Sequence, residues 1–456
     1  MLVYFSAANF RSINQPIELN LQAAPRLRRL NKHVLQPSEN NKLKILKSAV
    51  IYGANASGKS NIIKALEFAQ DLIISPQSSN KSIKAEPFLF DNHNQSKSKN
   101  ESSFYFEFVV KKQHFGLGIK YNSQKIIEES LYLFNGDNQT CLYQRTTDDN
   151  LEVTINGNII DSWPQQYCEY LQEFKFIAKY TPAKGLFITE VKEKSLVSKL
   201  AKYNSQLNLL TSCYDFFNNQ LIIIYPHTKY ADLLTLTNNQ TINTMLSGLD
   251  TSIDSIESTP VDASQLPEHL IMDLDSQYPV TYKNQRFQAR KNEQNQLEIF
   301  HIYAKHSTTA NKQIRLELEQ ESDGTKRLID LIAVLKPKTP TSSATTYIID
   351  EFDRSLHPNL AKKFLELFLN HNNQSQLIVT THQGELLDNQ LLRRDEIWFV
   401  QKEWDQSTRL YSLNDYSTRF DKDIHKAYLQ GKFGAVPIIS DEIGQLSTTS
   451  EIEKEK

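Results

Sequence analysis

The sequence has little cysteine, little net charge and no long apolar run, and each shortage argues against a class of protein. Its three cysteines, Cys141, Cys168 and Cys213, are widely spaced, so they form neither a disulfide framework nor a metal site and are expected to be reduced thiols. No apolar stretch reaches the ~18 to 20 residues that a membrane-spanning helix requires. A net charge of −2 argues against a generally basic nucleic-acid-binding protein, although it allows a local basic patch.

The start of the chain also lacks a targeting signal. Residues 1–10 contain neither a basic segment nor a small-residue cleavage site, and their pattern predicts a strand. We therefore expect a cytoplasmic protein that is made without processing. Hydrophobic residues make up 39% of the 456 positions, which suits a sizeable core and about two or three domains.

Apolar periodicity predicts a β–α–β alternation, most clearly in the last third of the chain. The predicted strands are 2–5, 17–21, 49–52, several antiparallel strands within 104–134, a strand-like region at 280–318, and then 347–349, 377–380 and 397–400. Helical patterns begin at residue 60 and recur at 190–224, 235–258, 327–335, 360–369 and 424–429. Short apolar strands alternating with amphipathic helices indicate a mainly parallel sheet covered by helices.

The strongest motif is residues 53–60, GANASGKS, which fits the pattern G-x-x-x-x-G-K-[ST] between a strand and a helix. Glycines let the backbone wrap around phosphate, and successive N–H groups with a helix N-terminus face the anionic oxygens. Lys59 would neutralise charge on the β- and γ-phosphates, and the Ser60 hydroxyl would bind Mg²⁺. The motif therefore predicts a Mg-ATP site formed by Gly53, Ala54, Asn55, Ala56, Ser57, Gly58, Lys59, Ser60 and Asn61.

A second motif is an apolar strand that ends in two acids, Asp350 and Glu351. Adjacent carboxylates at the carboxyl end of a strand lie where parallel sheets place their ligands. Asp350 is predicted to coordinate Mg²⁺ through its water shell. Glu351 is predicted to orient and polarise the attacking water. Downstream of a phosphate-binding loop, this pair indicates ATP hydrolysis.

Two further patterns narrow the class: a small-residue turn opens a helix at residues 322–327, and Thr380-Thr381-His382 follows the next strand. In this order of motifs the chain resembles the ABC-type ATPases, and among them the SMC-like and OLD-like ATPases of bacterial phage-defence loci. The resemblance implies that Ser322 and Gly324 face the phosphate-binding loop of a second subunit and that His382 reads the γ-phosphate as a catalytic switch. The alternative is that Ser322 only caps a helix and His382 is a core histidine.

The resemblance extends to the N-terminus and has two departures. Arg11 and Ser12 match the strand-loop of SMC-like heads, which implies that they approach the nucleotide. The signature turn reads Ser-Asp-Gly-Thr instead of the transporter form Ser-Gly-Gly-Gln, which argues against a transporter subunit. The glutamine that usually follows the first helix has two candidates, Gln77 and Gln95.

The implied fold is α/β: an ABC-type P-loop NTPase head with a mixed, mainly parallel sheet, an antiparallel β lobe and an inserted helical module. We expect residues 1–185 to form the first half of the head with the β lobe, 186–275 the helical module, 276–440 the second half, and 441–456 a disordered tail. No sustained heptad pattern separates Ser60 from Ser322, so the long arms of a true SMC protein are not expected.

The resemblance implies an ATPase that forms a homodimer or higher oligomer and acts as the sensor or regulator of an anti-phage or abortive-infection system. Only 74 residues follow His382, too few for the nuclease domain of OLD-like proteins, so we expect a separately encoded effector, such as a nuclease. No membrane partner is expected. One alternative is a DNA-repair or recombination ATPase that clamps DNA between two heads. Another is a housekeeping NTPase without an effector.

Overall fold

The computed structural model describes residues 1–37, 42–76, 83–90, 101–136, 138–193, 200–237, 239–274, 278–310, 312–336, 344–370, 374–416 and 423–436. Its strands are β1 (Leu2–Ala8), β2 (Ile17–Asn20), β3 (Val34–Leu35), β4 (Ile45–Leu46), β5 (Ser48–Gly53), β6 (Ser102–Val110), β7 (Gln113–Tyr121), β8 (Ile126–Asn135), β9 (Asn138–Thr147), β10 (Val153–Asn156), β11 (Leu221–Ile224), β12 (Ser255–Val261), β13 (Val280–Tyr282), β14 (Gln285–Lys291), β15 (Leu297–Ser307), β16 (Gln313–Glu317), β17 (Thr346–Ile349), β18 (Gln376–Thr381), β19 (Ile397–Lys402) and β20 (Thr408–Ser412).

The helices in the described ranges are α1 (Lys59–Ile74), α2 (Asn158–Asp161), α3 (Cys168–Lys179), α4 (Phe187–Glu193), α5 (Leu207–Asp215), α6 (Gln240–Gly248), α7 (Glu268–Asp273), α8 (Asp323–Leu335), α9 (Pro358–Asn370) and α10 (Ile424–Leu429). A π-helical turn, Phe216–Gln220, follows α5. Short 3-10 turns occupy Asn31–His33, Gln165–Tyr167, Leu233–Thr235, Ala263–Gln265, Leu318–Gln320, Gly384–Leu386, Arg394–Glu396 and Leu413–Asp415. Within this part of the chain, none of the helices has the length and apolarity to cross a membrane.

The central sheet has six strands in the order β11-β17-β18-β5-β19-β20. All neighbours are parallel except the last pair, β19 and β20. Strands β5, β17 and β18 are buried at every residue, as expected for a parallel sheet covered on both faces. The mixed, mainly parallel α/β architecture predicted from the sequence is therefore confirmed.

Alternate residues of β5 pack into different cores because successive side chains of a strand point to opposite faces. Ala49 and Ile51 pack with Ile62 and Leu66 of α1. Val50 and Tyr52 pack into the core formed by α8 and α9. The sheet therefore lies between α1 on one face and α8 with α9 on the other, which fixes the phosphate-binding loop at the edge of a rigid layer.

A seven-stranded antiparallel sheet, in the order β10-β9-β8-β7-β6-β1-β2, covers the outer side of α1. Phe68 of α1 stacks on Tyr121 of β7 with ring centroids 5.5 Å apart. Phe108 of β6 stacks on Phe216 of the π-helical turn at 4.6 Å. This is the β lobe expected from residues 104–134, and the N-terminal strands β1 and β2 complete it.

A separate sheet of β12 to β16 is centred on the long strand β15. A buried arginine of β14, Arg286, attaches it to the helix that begins at the signature turn. Its guanidinium donates to Asp330 Oδ1 of α8 at 2.7 Å and to Glu319 Oε1 at 3.0 Å. The strand-like region predicted at residues 280–318 is confirmed, and the structure shows that its strands β13 to β16 pair antiparallel.

The helical predictions for residues 190–224 and 235–258 are partly wrong. Helices α4, α5 and α6 occupy these regions, but Leu221–Ile224 is a strand of the central sheet and Ser255–Val261 begins the five-stranded sheet. Periodicity cannot distinguish a short apolar run in a strand from one in a helix, and here pairing with β17 decides it. The division of the chain at residues 185, 275 and 440 stays a prediction. Gln77, Gln95 and residues 441–456 lie outside the described residues.

Candidate nucleotide-binding site

The carboxyl ends of three adjacent parallel strands bring the predicted catalytic residues to one edge of the central sheet. Strand β5 ends at Gly53, where the phosphate-binding loop begins. The neighbouring strand β18 ends immediately before His382, and β17 ends before Asp350. The order β17-β18-β5 therefore places the acid pair and His382 on one flank of the loop, where ligands of parallel sheets bind.

The phosphate-binding loop needs glycine at its last turn. Gly58 has φ +108, and a Cβ atom there would lie 2.0 Å from Thr408 Oγ1. Any side chain would therefore be strained and would also displace the start of β20. Gly58 therefore allows the phosphate-binding loop to pack closely against Thr408, and the chain continues from it into the N-terminus of α1.

Lys59 lies across the loop that precedes it. Its ammonium donates to Gly53 O at 2.8 Å and Ala54 O at 2.9 Å, and its Nζ is 3.2 Å from His382 Nδ1. Burial lowers the pKa of Lys59 to about 8, against the opposing effect of the nearby acids Asp350, Asp353 and Glu351. An anionic phosphate would compensate this buried charge, which is the role predicted for Lys59.

The acid pair is held by one hydroxyl of the neighbouring strand. Thr380 Oγ1 donates to Asp350 Oδ1 at 2.6 Å and accepts from the backbone N–H of Glu351 at 2.8 Å. Asp350 is buried, whereas Glu351 lines the cleft beside the loop. Glu351 has φ 44, a left-handed conformation that costs about 1 to 3 kcal/mol in a non-glycine residue. Such strain at a carboxylate in a cleft supports a functional role.

The loop, Glu351 and His382 enclose a cleft of about 520 Å³, a size that accommodates a small-molecule ligand. Most residues predicted to bind nucleotide line it. The lining consists of Ser12, Asn55, Ala56, Ser57, Gly58, Lys59, Ser60, Asn61, Phe90, Glu351, His382, Lys402, Gln406 and Thr408. Gly53 and Ala54 are not in this lining, and their backbone carbonyls accept hydrogen bonds from Lys59.

The family described as "AAA domain, putative AbiEii toxin, Type IV TA system" matches residues 48–156 and 223–388, which include the loop, the signature turn, the acid pair and His382. The chain belongs to this AAA family.

No curated protein matches this AAA-family chain. Solved structures similar to it include an SMC head bound to the C-terminal winged-helix domain of ScpA, at 13% identity and a TM-score of 0.39, covering 90% of this chain and 97% of that one. The SMC head domain from Thermotoga maritima has 13% identity and a TM-score of 0.35, covering 90% and 98%. An SMC head with an extended coiled coil, bound to the C-terminal domain of ScpA derived from Pyrococcus furiosus, has 13% identity and a TM-score of 0.38, covering 94% and 98%.

In this AAA-family chain, only one of the two N-terminal residues predicted to approach the nucleotide lines the cleft. Ser12 lines the cleft, and its Oγ accepts a hydrogen bond from Asn61 Nδ2 at 2.7 Å. Arg11 is paired with Glu86 through its side chain, and its backbone N–H donates to Glu86 O at 2.6 Å. Arg11 thus anchors the segment 83–90 and is not among the residues that line the cleft in the described part of the chain.

Ser322 and Gly324 lie outside this cleft, at the exposed start of α8. Ser322 Oγ accepts from the backbone N–H of Thr325 at 3.1 Å, as an N-cap does. A Cβ atom on Gly324 would lie 2.7 Å from Ser355 O, so the signature turn packs against the loop that follows the acid pair. The N-cap interpretation is confirmed locally, and the role of the turn toward a second subunit stays a prediction.

The oxygen donors of the site suit Mg²⁺. This ion takes octahedral oxygen ligands and is usually held by one or two protein groups together with waters and substrate phosphates. The Ser60 hydroxyl and the Asp350 carboxylate are the protein groups that would hold it, and the ion would neutralise phosphate charge. In the described ranges, no cluster of three or more His, Cys, Asp or Glu side chains could hold a metal.

Sequence reasoning missed Thr408, the first residue of β20. Its N–H donates to Ser12 O at 2.7 Å, its Oγ1 lies 2.7 Å from Ser12 Oγ, and the same hydroxyl donates to Ser57 O at 3.2 Å. Thr408 therefore joins the N-terminal loop to the phosphate-binding loop. The polar turn before it predicts a hairpin, but nothing in the sequence indicates where that hairpin packs.

Replacing Thr408 by Val is expected to weaken ATP binding about tenfold. The substitution keeps the side-chain shape beside Gly58 but removes a hydroxyl that serves both loops, and each such hydrogen bond contributes about 0.5 to 1.5 kcal/mol. Calorimetric titration with ATP measures the effect, and Thr408→Ser, which keeps the hydroxyl, is the matched control. Unchanged affinity in Thr408→Val, with wild-type folding by circular dichroism, would show that the loop keeps its geometry without this contact.

Proposed function

We propose that this protein binds Mg-ATP in the cleft and hydrolyses it. The observation that carries the proposal is that Lys59, His382 and Glu351 line one cleft, beside the carboxyl ends of three adjacent strands. In this mechanism the loop amides and Lys59 bind the phosphates, and Ser60 and Asp350 hold Mg²⁺. Glu351 accepts a proton from the attacking water, and His382 contacts the γ-phosphate.

The active form in this proposal is a head-to-head homodimer. Ser322 is exposed at the N-terminus of α8 and lies outside the cleft of its own chain, so a second copy could present it to the bound ATP. Hydrogen-bond donors at a helix N-terminus suit a phosphate. Residues 1–185 and 276–440 would then form the two halves of each head.

The output of the cycle, in this proposal, is regulation of a separately encoded effector in a cytoplasmic anti-phage or abortive-infection system. The family description, which includes a putative AbiEii toxin and a Type IV TA system, supports that setting. An ATPase cycle affects a partner only if the two nucleotide states bind it differently. We expect the partner to bind residues 190–258 and the segment after Arg393.

Contacts between the nucleotide site and residues 190–258 support coupling of ATP binding to the binding of a partner. The backbone N–H of Asp350 donates to Ile224 O at 3.0 Å, and Arg327 of α8 donates to Tyr225 O at 3.2 Å. Ile329 of α8 and Ile242 of α6 belong to one buried hydrophobic core. A shift of α8 on ATP binding would therefore act directly on residues 224–246.

Pull-down from the native host tests the regulatory part of the proposal. We expect a partner whose occupancy changes about 5- to 150-fold between nucleotide-free protein and Glu351→Gln with ATP, the range of typical allosteric couplings. Lys59→Ala with ATP is the control, because it should behave as nucleotide-free protein. If DNA and no protein is retained, and only with ATP, the result would instead support a DNA-clamping ATPase. If the same proteins bind with and without nucleotide, the result would contradict regulation by ATP.

A further inference from the structure

The cleft continues past the phosphate-binding loop, away from the acid pair. In the sheet order β18-β5-β19-β20, His382 follows the strand on one side of β5. Lys402 and Gln406, which line the cleft, belong to the β19–β20 hairpin on the other side. A triphosphate whose γ-phosphate faces Glu351 and His382 would therefore extend its nucleoside toward the hairpin.

An exposed aromatic ring is among the groups that line the cleft. Phe90 lines it and is 62% exposed, whereas Phe88, two residues earlier, is only 5% exposed. The two rings are 5.8 Å apart, so Phe88 anchors the segment in the core and Phe90 points into the cleft. A phenylalanine that stays this exposed does not stabilise the core, since burial of the ring is what stabilises a fold.

The N-terminal loop, residues 9–12, holds both walls of this part of the cleft in place. On one side, Asn9 Oδ1 accepts from the N–H of Phe88 at 3.0 Å, and Arg11 pairs with Glu86. On the other side, Ser12 is bonded to the first residue of β20, Thr408, through backbone and side chain. The separation between Phe90 and the hairpin is therefore set by a loop that both walls share, which is the preorganisation that a planar ligand requires.

We propose that Phe90 and the β19–β20 hairpin form the nucleobase site, with the Phe90 ring stacked on a purine and the Gln406 amide hydrogen-bonded to its Watson–Crick edge. The proposal rests on the proposed function, because it assumes that the phosphates occupy the loop. Every base has a face that an aromatic ring can stack on. An amide supplies both a donor and an acceptor, which matches the edge of adenine. Lys402 adds a positive charge to the same wall.

Comparison of ATP with tripolyphosphate separates the base from the phosphates. We expect Phe90→Ala to bind ATP about 5- to 150-fold more weakly, the range for loss of one base–aromatic stack, and to bind tripolyphosphate as the wild type does. Phe90→Tyr should retain the affinity for ATP. Phe176→Ala is the matched control, because Phe176 is a phenylalanine of similar exposure, 59%, on helix α3. Calorimetric titration gives all these constants.

A second variant tests whether Gln406 hydrogen-bonds to the Watson–Crick edge of the base. Gln406→Glu removes the amide donor and leaves two acceptors, which suit the adjacent N–H donors of guanine better than adenine. We expect its ratio of ATP to GTP affinity to fall at least fivefold, with tripolyphosphate binding lowered less than ATP binding.

The outcomes distinguish this inference from the proposed function. If the wild type binds ATP and Phe90→Ala binds it equally well, the nucleobase site is overturned while the ATP site stands. If the wild type binds tripolyphosphate as tightly as ATP, the base makes no contribution, and the inference is again overturned. If the wild type binds neither, both proposals fail together.

Discussion

Replacing Glu351 by Gln is expected to slow ATP hydrolysis about 100- to 10,000-fold, the usual contribution of a general base, while ATP binding is retained. The variant keeps the size of the side chain and the backbone N–H that donates to Thr380 Oγ1. It loses only the carboxylate that can accept a proton from water and that now pairs with Arg354 at 3.4 Å. Asp350 and Lys59 are untouched, so the groups proposed to hold Mg²⁺ and phosphate remain.

The same variant should accumulate as an ATP-bound dimer, because separation of the two copies would follow hydrolysis. Phosphate release, calorimetric titration with ATP and the mass in solution by light scattering measure the three effects. Glu366→Gln, on α9 and outside the cleft lining, removes the same charge and should behave as wild type. Normal hydrolysis by Glu351→Gln would assign the base to another residue, and loss of ATP binding would give Glu351 a binding role instead.

Two inactive variants should restore activity when combined in one dimer. Lys59→Ala removes the phosphate charge in one copy, and Ser322→Arg blocks the signature turn in the other. If each ATP is completed by the partner's turn, the heterodimer has one site with both defects and one intact site. A purified heterodimer should therefore regain about half of the wild-type turnover at most, as two-fold symmetry requires.

Coexpression with two different affinity tags isolates the heterodimer, and phosphate release measures its turnover. Each homodimer should be inactive alone. Ser247→Arg, at an exposed serine near the end of α6, is the control for adding a positive surface charge and should not impair turnover. An inactive heterodimer, formed from copies that still dimerise, would show that the site is completed within one chain or requires both sites intact.

Much of this site could be predicted because each of its main motifs is a contiguous stretch of the chain. The loop 53–60 forms between a strand and a helix, and the acid pair ends a strand that is buried at every residue. Backbone geometry within such motifs depends on near neighbours, so the residue types alone predict it. The boundaries of α1, α9 and α10 agree with the periodic patterns for the same reason.

The helical predictions that failed concern segments whose secondary structure depends on distant partners. The apolar run Leu221–Ile224 is a strand because it pairs with β17, more than a hundred residues later. Arg11 pairs with Glu86, a contact that its motif did not indicate, and its approach to the nucleotide stays a prediction. Contacts of this kind join residues that are far apart in the sequence, and short-range patterns do not predict them.

The residue pattern alone predicts a phosphate-binding loop and a carboxylate pair on a mainly parallel sheet, because both motifs combine local backbone requirements with apolar periodicity. The groups that surround these motifs follow from the way the whole chain folds. The hydroxyls of Ser12 and Thr408 meet across 396 positions, and Thr408 reaches Ser57 across 351. These contacts form only once β20 is added to the edge of the central sheet beside β19, and they help to make one cleft out of six separate segments of the chain.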